Sequence, residues 1–310
     1  MNQEVIKVVF TFDKNYALQG LIAALSLLDS DASHEYGFYF LSETPFSDDI
    51  VSDFNAYLSG FGNLSFSRFV SLDHLIGDVY ESRHLNRSTY LRLEIPEVIP
   101  EEKVIYADVD VIFVSGLAEL WSEDVSGYCL AASLDVGLNR ERSFSKKLLD
   151  LPYWNEYYSK RKGSYFQAGL LLMNLREIRD RQLVIRWREL CQKRFEYHDM
   201  DVLNISCYPF IKKIGANYNI IPGYLVKKAY ELGVSEGYFD KNEVDAVYEN
   251  PVMLHFAGAR KPWEFPSSPG GCEYWRFLGK FPELQDRVMK RYSPSLYERM
   301  KKFFVKPLFV

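Results

Sequence analysis

Four cysteines in 310 residues, Cys129, Cys191, Cys207 and Cys272, are too widely spaced for any CxxC pair, and such thiols suit a reducing, cytosolic setting as buried, free side chains. No apolar run approaches the ~20 residues that a membrane span needs. The segment Met1-Asn2-Gln3-Glu4 runs straight into a strand-like stretch and lacks the basic region and apolar core of a signal peptide. A formal net charge of −5 gives no footing for a nucleic-acid partner or a strongly acidic protein. Internal repeats and low-complexity tracts are also missing.

What is present is an ordinary globular balance, long enough for one large α/β domain with an appendage. Tyr and Phe number 22 each. Rings suit clefts that stack bases or sugars, but packing in the core is their commoner use. Val5 to Phe12 reads as a buried strand, Tyr16 to Leu28 as a helix, Tyr36 to Leu41 as a strand, Phe46 to Leu58 as a helix with Ser47 as N-cap, and Leu64 to Val70 as a strand. This alternation predicts a mixed, mostly parallel sheet flanked by helices, with its ligand beyond the carboxyl ends of the strands. Arg87 to Ile95 reads as a short helix. Strands follow at Lys103 to Ala107, Cys129 to Ser133 and Phe166 to Asn174. A long helix to about Tyr197, a further one over Asp201 to Cys207, and a last strand over Val252 to Phe256 complete the pattern. The Pro/Gly/Ser-rich stretch Ser267 to Gly271 suggests a division into residues 1–265 and a small C-terminal helical appendage, 266–310.

Asp108 and Asp110 follow a buried strand and precede another apolar run, Val111 to Val114. Two carboxylates at i and i+2 where a strand gives way to a loop can turn to one ligand, and hard oxygen donors suit Mg²⁺ or Mn²⁺. His255 closes the last strand. Alone it would be an ordinary core histidine; together with two carboxylates it makes a mixed N/O donor set that tilts toward Mn²⁺. Three residues on, Gly258 permits close backbone approach to a phosphate, and Lys261 offers a point charge. Asp13 and Tyr16 lie in the first strand–helix turn, either as contacts to a base and ribose or as a helix cap and a packed ring. The same two acids could instead be the nucleophile and acid of a phosphohydrolase. Such enzymes usually carry that pair on the first strand, and the reading leaves His255 to Trp263 unexplained.

The stretches Thr11 to Tyr16, Ser88 to Leu93, Tyr106 to Asp110, Phe166 to Gly169, Asp199 to Asn204 and His255 to Trp263, in this order and spacing, resemble the family 8 retaining glycosyltransferases. The likeness is to the bacterial galactosyl- and glucosyltransferases of lipopolysaccharide and related surface glycans, over residues 5 to about 265. It implies a GT-A, Rossmann-like nucleotide-sugar-binding fold. Thr11, Phe12, Asp13, Asn15 and Tyr16 would lie along the nucleotide, with Asp13, Asn15 and Tyr16 on the uridine. Asp108, Asp110 and His255 would hold Mn²⁺ (or Mg²⁺) with Val109 between them, and Gly258 and Lys261 would clamp the diphosphate. Arg92, Gln167, Ala168, Asp199 and Asp135 would line the donor sugar or reacting centre, with UDP-galactose or UDP-glucose as donor. Retention requires front-face attack or a covalent intermediate, and no residue stands out as a nucleophile.

Two positions depart from the family pattern. Gln167 stands where Asn is common, and Met200 where Gln is common. A thioether cannot donate a hydrogen bond, so altered donor preference is expected, and a sugar-nucleotide-binding protein without transfer is the alternative. From Arg287 onward, Lys290, Arg291, Arg299, Lys301, Lys302 and Lys306 interleave with Tyr292, Tyr297, Phe303, Phe304 and Phe309. This tail suits either an amphipathic helix packed on the domain or an anionic membrane surface that brings the enzyme to a lipid-linked glycan. The corresponding location is cytoplasmic, peripheral on the inner membrane.

Overall fold

The strand-forming runs are assembled into one seven-stranded sheet in the computed structural model, which describes residues 4–72, 87–140, 164–193, 195, 197–293, 295 and 308. The strands are β1 Ile6–Thr11, β2 Tyr36–Ser42, β3 Leu64–Ser71, β4 Lys103–Ala107, β5 Val111–Phe113, β6 Leu130–Leu134, β7 Phe166–Asn174, β8 Ile211–Ile214 and β9 Met253–His255. The sheet order is β3-β2-β1-β4-β7-β6-β8. Pairing is parallel except where β7 lies antiparallel to both β4 and β6, which gives the mixed, mostly parallel sheet that the alternation implied. The interior strands are continuous apolar runs because both faces are covered. β2 is buried at every position, and β7 at all but Asn174.

Helix α1, Ala17–Ser30, is buried from Ala17 to Leu28, as expected of a helix that is apolar all round. Helix α2, Asp48–Leu58, turns Phe54 and Leu58 inward. Their surroundings account for much of the aromatic content: Phe10, Phe12, Phe40, Phe46, Phe54 and Phe69 form one connected set of ring contacts, with Phe40 and Phe54 at 4.9 Å.

Several boundaries differ from the sequence expectation. Ser47 stands at the N-cap of α2, but its side chain makes no capping bond. The stretch Arg87–Glu94 is a 3₁₀ helix rather than an α-helix. The expected long helix after β7 is two, α3 Leu175–Asp180 and α4 Leu183–Cys191, broken where Gln182 takes a left-handed φ of 53°. The last strand, β9, does not join the main sheet. It pairs with β5 in a two-stranded antiparallel ribbon. A further helix, α5, covers His198–Cys207, and α6 Gly271–Leu278 and α7 Pro282–Tyr292 close the described chain. Arg299, Lys301, Lys302, Lys306, Tyr297, Phe303, Phe304 and Phe309 lie outside the described residues, as do the side chains of Arg87 and Ser88. Among the described residues no helix is long and apolar enough to cross a membrane.

Candidate active site at the carboxyl edge of the sheet

Topology brings distant motifs to one edge. Parallel β1 and β4 end at Thr11 and Ala107, which delivers Asp13 and Asp108 there. Antiparallel β7 begins at that edge, so Gln167, Ala168 and Gly169 arrive beside Asp108, and Leu170 pairs with Ala107. β6 runs the other way to β7 and ends there, placing Asp135 next to the start of β7.

The β5–β9 ribbon supplies the third component. Val111 is the register partner of His255, and Phe256 N–H donates to Asp110 O at 2.9 Å. His255 Nε2 therefore lies 3.3 Å from Asp110 Oδ1 and 3.6 Å from Asp108 Oδ2. One donor atom from each of the three residues fits within 4.8 Å of the others. Two carboxylate oxygens and an imidazole nitrogen at this spacing fit a divalent cation such as Mn²⁺ or Mg²⁺.

The ring of His255 rests over Gly169, where a Cβ would stand 2.4 Å from Cε1 and 2.5 Å from Nδ1. Any larger residue there would displace the imidazole. The other ring nitrogen, Nδ1, lies 3.0 Å from Asn219 Oδ1. Asn219 belongs to no sequence motif. Lys261 closes the loop after β9: Nζ donates to Asp110 Oδ2 at 2.5 Å and to Phe256 O at 2.8 Å. Gly258 within that loop has a φ of +90°, a conformation that side chains rarely adopt.

Arg92 ties the cluster together. Its Nη2 is 2.8 Å from Asp108 Oδ1, its Nε 3.0 Å from Asp199 Oδ2, and Nη1 donates to Ala168 O at 2.8 Å. The guanidinium lies over the Tyr106 ring at 4.6 Å, and Tyr106 O–H donates to Asp108 Oδ1 at 2.6 Å. Thr11 Oγ1 is 3.2 Å from the same hydroxyl. In the sequence Tyr106 is only one member of the stretch Tyr106 to Asp110, yet strand alternation places its side chain on the same face as Asp108. Gln167 Nε2 donates to Asp135 Oδ2 at 2.8 Å, a second buried polar pair along the edge.

Charge states follow from this packing. Burial raises the Asp110 carboxyl, but Lys261 and His255 outweigh it and the group lies well below the ordinary carboxylate range. Burial lowers His255, and Asp110 and Asp108 reverse this, leaving the imidazole above its usual value. Asp199 moves the opposite way. Burial dominates the attraction of Arg92 and pushes it up to about 6. The short contact from Arg92 Nε lies off the N–H direction, which points to Thr89 O, so Asp199 Oδ2 is buried without a hydrogen bond.

Other quoted residues have local tasks. Asp13 Oδ1 accepts from the N–H groups of Asn15 and Tyr16, which closes the turn ahead of α1; it is not the helix cap that the sequence also offered, because α1 starts at Ala17 behind Tyr16 as N-cap, with no side-chain capping bond. Phe12 points its ring into the core, so only its backbone can face a ligand. Val109 is buried. Tyr16 is among the exposed large side chains, edge-on to Trp263 at 6.3 Å. Asn204 pairs with both the N–H and the C=O of Phe166, and Asp201 accepts from Tyr165 O–H and Tyr197 N–H. These two fix the start of β7 against α5 rather than pointing at the cluster.

Comparison with known proteins agrees with this arrangement. A curated glycosyltransferase of Haemophilus influenzae, itself of putative assignment, is 31% identical over 204 residues, covering 64% of this chain and 55% of its own length. The lipopolysaccharide 1,2-glucosyltransferase of Escherichia coli is 22% identical over 281 residues, covering 88% and 78%. A crystal structure of the galactosyltransferase LgtC with donor and acceptor sugar analogs superposes with a TM-score of 0.70 at 25% identity, covering 96% of this chain and all of that one. The sheet and its flanking helices are thus of the GT-A kind. The pattern of Glycosyl transferase family 8 matches residues 7–266, which contain every side chain of the cluster, and the chain belongs to that family of glycosyltransferases.

Proposed function

We propose that the protein is a retaining, Mn²⁺-dependent hexosyltransferase that moves glucose or galactose from a UDP-sugar to a saccharide or lipid-linked glycan. The observation that carries this reading is the convergence of Asp108, Asp110 and His255, backed by Lys261 and Arg92, at the carboxyl edge of the sheet. A bound divalent cation supplies positive charge beside the diphosphate, where negative charge grows as the sugar leaves.

The chain's own groups do the rest. Lys261 holds an ammonium at the cluster, kept protonated although burial works against it, because Asp110 more than compensates. Arg92 fixes the orientation of Asp108 and Asp199 together. Asp199, with one carboxylate oxygen free of hydrogen bonds in a buried setting, can accept from a sugar hydroxyl or face the positive charge of an oxocarbenium-like transition state. Gln167 and Asp135 offer a donor and acceptors at the same edge for the hydroxyl pattern that separates glucose from galactose. The exposed face of Tyr16 and the turn at Asp13 and Asn15 suit the uridine.

A lipid-linked acceptor is supported by a cavity of about 540 Å³ between α1, α2 and α7. Ala17, Leu18, Ile50 and Phe54 floor it, and Lys14 and Lys290 stand among the cations at its mouth. Arg287 there is already matched by Asp53, with contacts of 2.6 Å. Attraction to an anionic surface would therefore fall to Lys14, Lys290 and the basic residues beyond it.

The test is UDP release from a panel of UDP-sugars, with Mn²⁺ or chelator, for wild type, Asp110→Ala and His255→Ala. Turnover of one UDP-hexose that requires Mn²⁺ and is lost in both variants is the expected result. Binding of UDP-sugar without release, with and without saccharide acceptors, would favour the non-transferring reading that Met200 raises. No nucleotide binding at all would overturn the proposal.

A further inference from the structure

We infer that Asn219 is a positioning residue for His255: its side-chain carbonyl holds the ring proton on Nδ1, so that Nε2 turns a lone pair toward Asp108 and Asp110. The inference rests on the metal-dependent reading above and concerns a residue that no motif contains.

The backbone fixes the pair before the side chains meet. Asn219 follows the 3₁₀ turn Ala216–Tyr218, and its N–H donates to Ala216 O at 3.3 Å. The next residue, Ile220, is laced to β9: Ile220 N–H donates to Met253 O at 3.0 Å, and His255 N–H donates to Ile220 O at 2.8 Å. Asn219 is therefore delivered beside His255 by main-chain bonds, not by a flexible side chain. Both residues are buried, at 4% and 6% exposure, so water does not compete for the 3.0 Å contact between Nδ1 and Oδ1. Gly169 makes the room. A Cβ there would meet the imidazole at 2.4 Å and Asn219 Nδ2 at 3.2 Å.

The direction of the amide decides the chemistry. A neutral imidazole has one N–H and one lone pair. With Oδ1 against Nδ1, the proton stays on Nδ1 and the lone pair at Nε2 faces the two carboxylates, as a ligating histidine requires. The reverse orientation would aim an N–H at Nδ1 and drive the ring proton to Nε2, into the place a cation must take. Asn219 Nδ2 has no hydrogen-bond partner although it is buried, so the side chain is not held there to satisfy its own amide nitrogen. The bond to His255 is the contact that gives it a purpose. An uncharged carbonyl also orients the ring without adding a third negative charge beside Asp108 and Asp110.

The experiment uses the full chain and three forms: wild type, Asn219→Leu, which keeps the bulk and removes the acceptor, and Asn219→Asp, which keeps an acceptor. Mn²⁺ affinity is measured without donor by the EPR signal of the free ion, and folding is checked by far-UV circular dichroism. The expected result is a 10- to 100-fold loss of affinity in Asn219→Leu, the range typical of outer-shell partners, with recovery of most of it in Asn219→Asp. Independently, ¹⁵N NMR of the metal-free wild type, at a pH where His255 is neutral, should show the proton on Nδ1. Unchanged Mn²⁺ affinity in a folded Asn219→Leu protein, or a wild-type ring protonated on Nε2, overturns the inference. Should Asn219→Leu not fold, the wild-type tautomer still decides it. Wild type that binds no Mn²⁺ overturns the metal-dependent reading along with it, so the two failures are told apart.

Discussion

Asp108 and Asp199, 91 positions apart in the chain, meet on the same guanidinium: Arg92 places Nη2 2.8 Å from the first and Nε 3.0 Å from the second. One arginine thus sets the spacing between a carboxylate of the proposed metal site and the carboxylate proposed to face the donor sugar. Lysine cannot reproduce a forked contact of this kind. Arg92→Lys is expected to fold and to lose at least about tenfold in kcat/KM, while Arg92→Met leaves the buried Asp199 without its cation and takes one partner from the half-buried Asp108. Breaking such a buried pair costs about 3–5 kcal/mol, so Arg92→Met should show a clear drop in Tm by calorimetry at pH 7. A Tm equal to that of wild type would mean that the arginine is dispensable to the fold.

Asp199 gives a pH dependence with a definite sign. Burial holds its carboxyl at about 6 in the folded chain, above the value of 3.8 expected without the fold. Between those values the folded state binds more protons than the unfolded one, so this group's contribution to stability falls as pH rises through the window. The ionised form is the one proposed to face the donor, so kcat/KM should rise with pH through about 6. Asp199→Asn removes both effects. Its Tm relative to wild type should improve from pH 4 to pH 7, while its activity is low and loses the limb near 6. Parallel Tm profiles for the two proteins would refute the assignment.

His255 predicts the pH dependence of metal binding. The ring must be neutral to ligate, and Asp110 and Asp108 keep its pKa above the ordinary value despite burial. Below that pKa each bound Mn²⁺ displaces one proton, so affinity should weaken about tenfold per pH unit. Mn²⁺ titrations by EPR across pH 5–8 test this. A flat profile would show that His255 is not a ligand.

Much of this site is legible in the residues themselves. The strand before Asp108, the apolar run after Asp110 and the compact His255 to Lys261 stretch mark the cluster because each motif is local in sequence. Strands β1, β2, β4, β6 and β7 could be read because buried strands are continuous apolar runs, whereas β8, with Lys212 and Lys213 at its centre, gives no such signal. What could not be read depends on contacts between distant segments. The β5–β9 ribbon is invisible in sequence because each strand is three residues long and gains its meaning from cross-strand register. Asn219 carries no local signal at all. The break between α3 and α4 was missed because nothing in Arg181-Gln182 forbids a helix; the turn there is set by tertiary packing. Asp201 and Asn204 lie in the stretch that carries the family resemblance beside Asp199, and their own task is to hold a strand in place.

The segment after residue 265 is bound closely to the loop after β9, and this bears on the proposed role of the tail. Trp263 is 1% exposed, covered by Tyr274 at 5.7 Å and Tyr292 at 5.8 Å. Trp275 Nε1 donates to Pro262 O at 3.0 Å, and Tyr274 O–H donates to Gln19 Oε1 at 3.0 Å. Arg291 Nη2 donates to Asn15 O at 2.9 Å. Two truncations therefore separate packing from surface binding. Removing residues from 294 onward spares all of these contacts. It takes away the packing of Leu308 on the core and its N–H contact to Glu273 Oε1, so Tm should fall modestly, while UDP-sugar hydrolysis stays near wild type and sedimentation with anionic phospholipid vesicles weakens, since each basic residue near such a surface contributes about 1 kcal/mol. Removing residues from 282 onward takes Tyr292 and Arg291 as well. It should uncover Trp263, red-shift its fluorescence, lower Tm and raise KM for the donor, because the turns at Asn15 and Lys261 lose their common support. If the shorter truncation leaves vesicle binding intact, the tail does not tether the enzyme. If the longer one leaves donor KM unchanged, α7 is only a cover for the core.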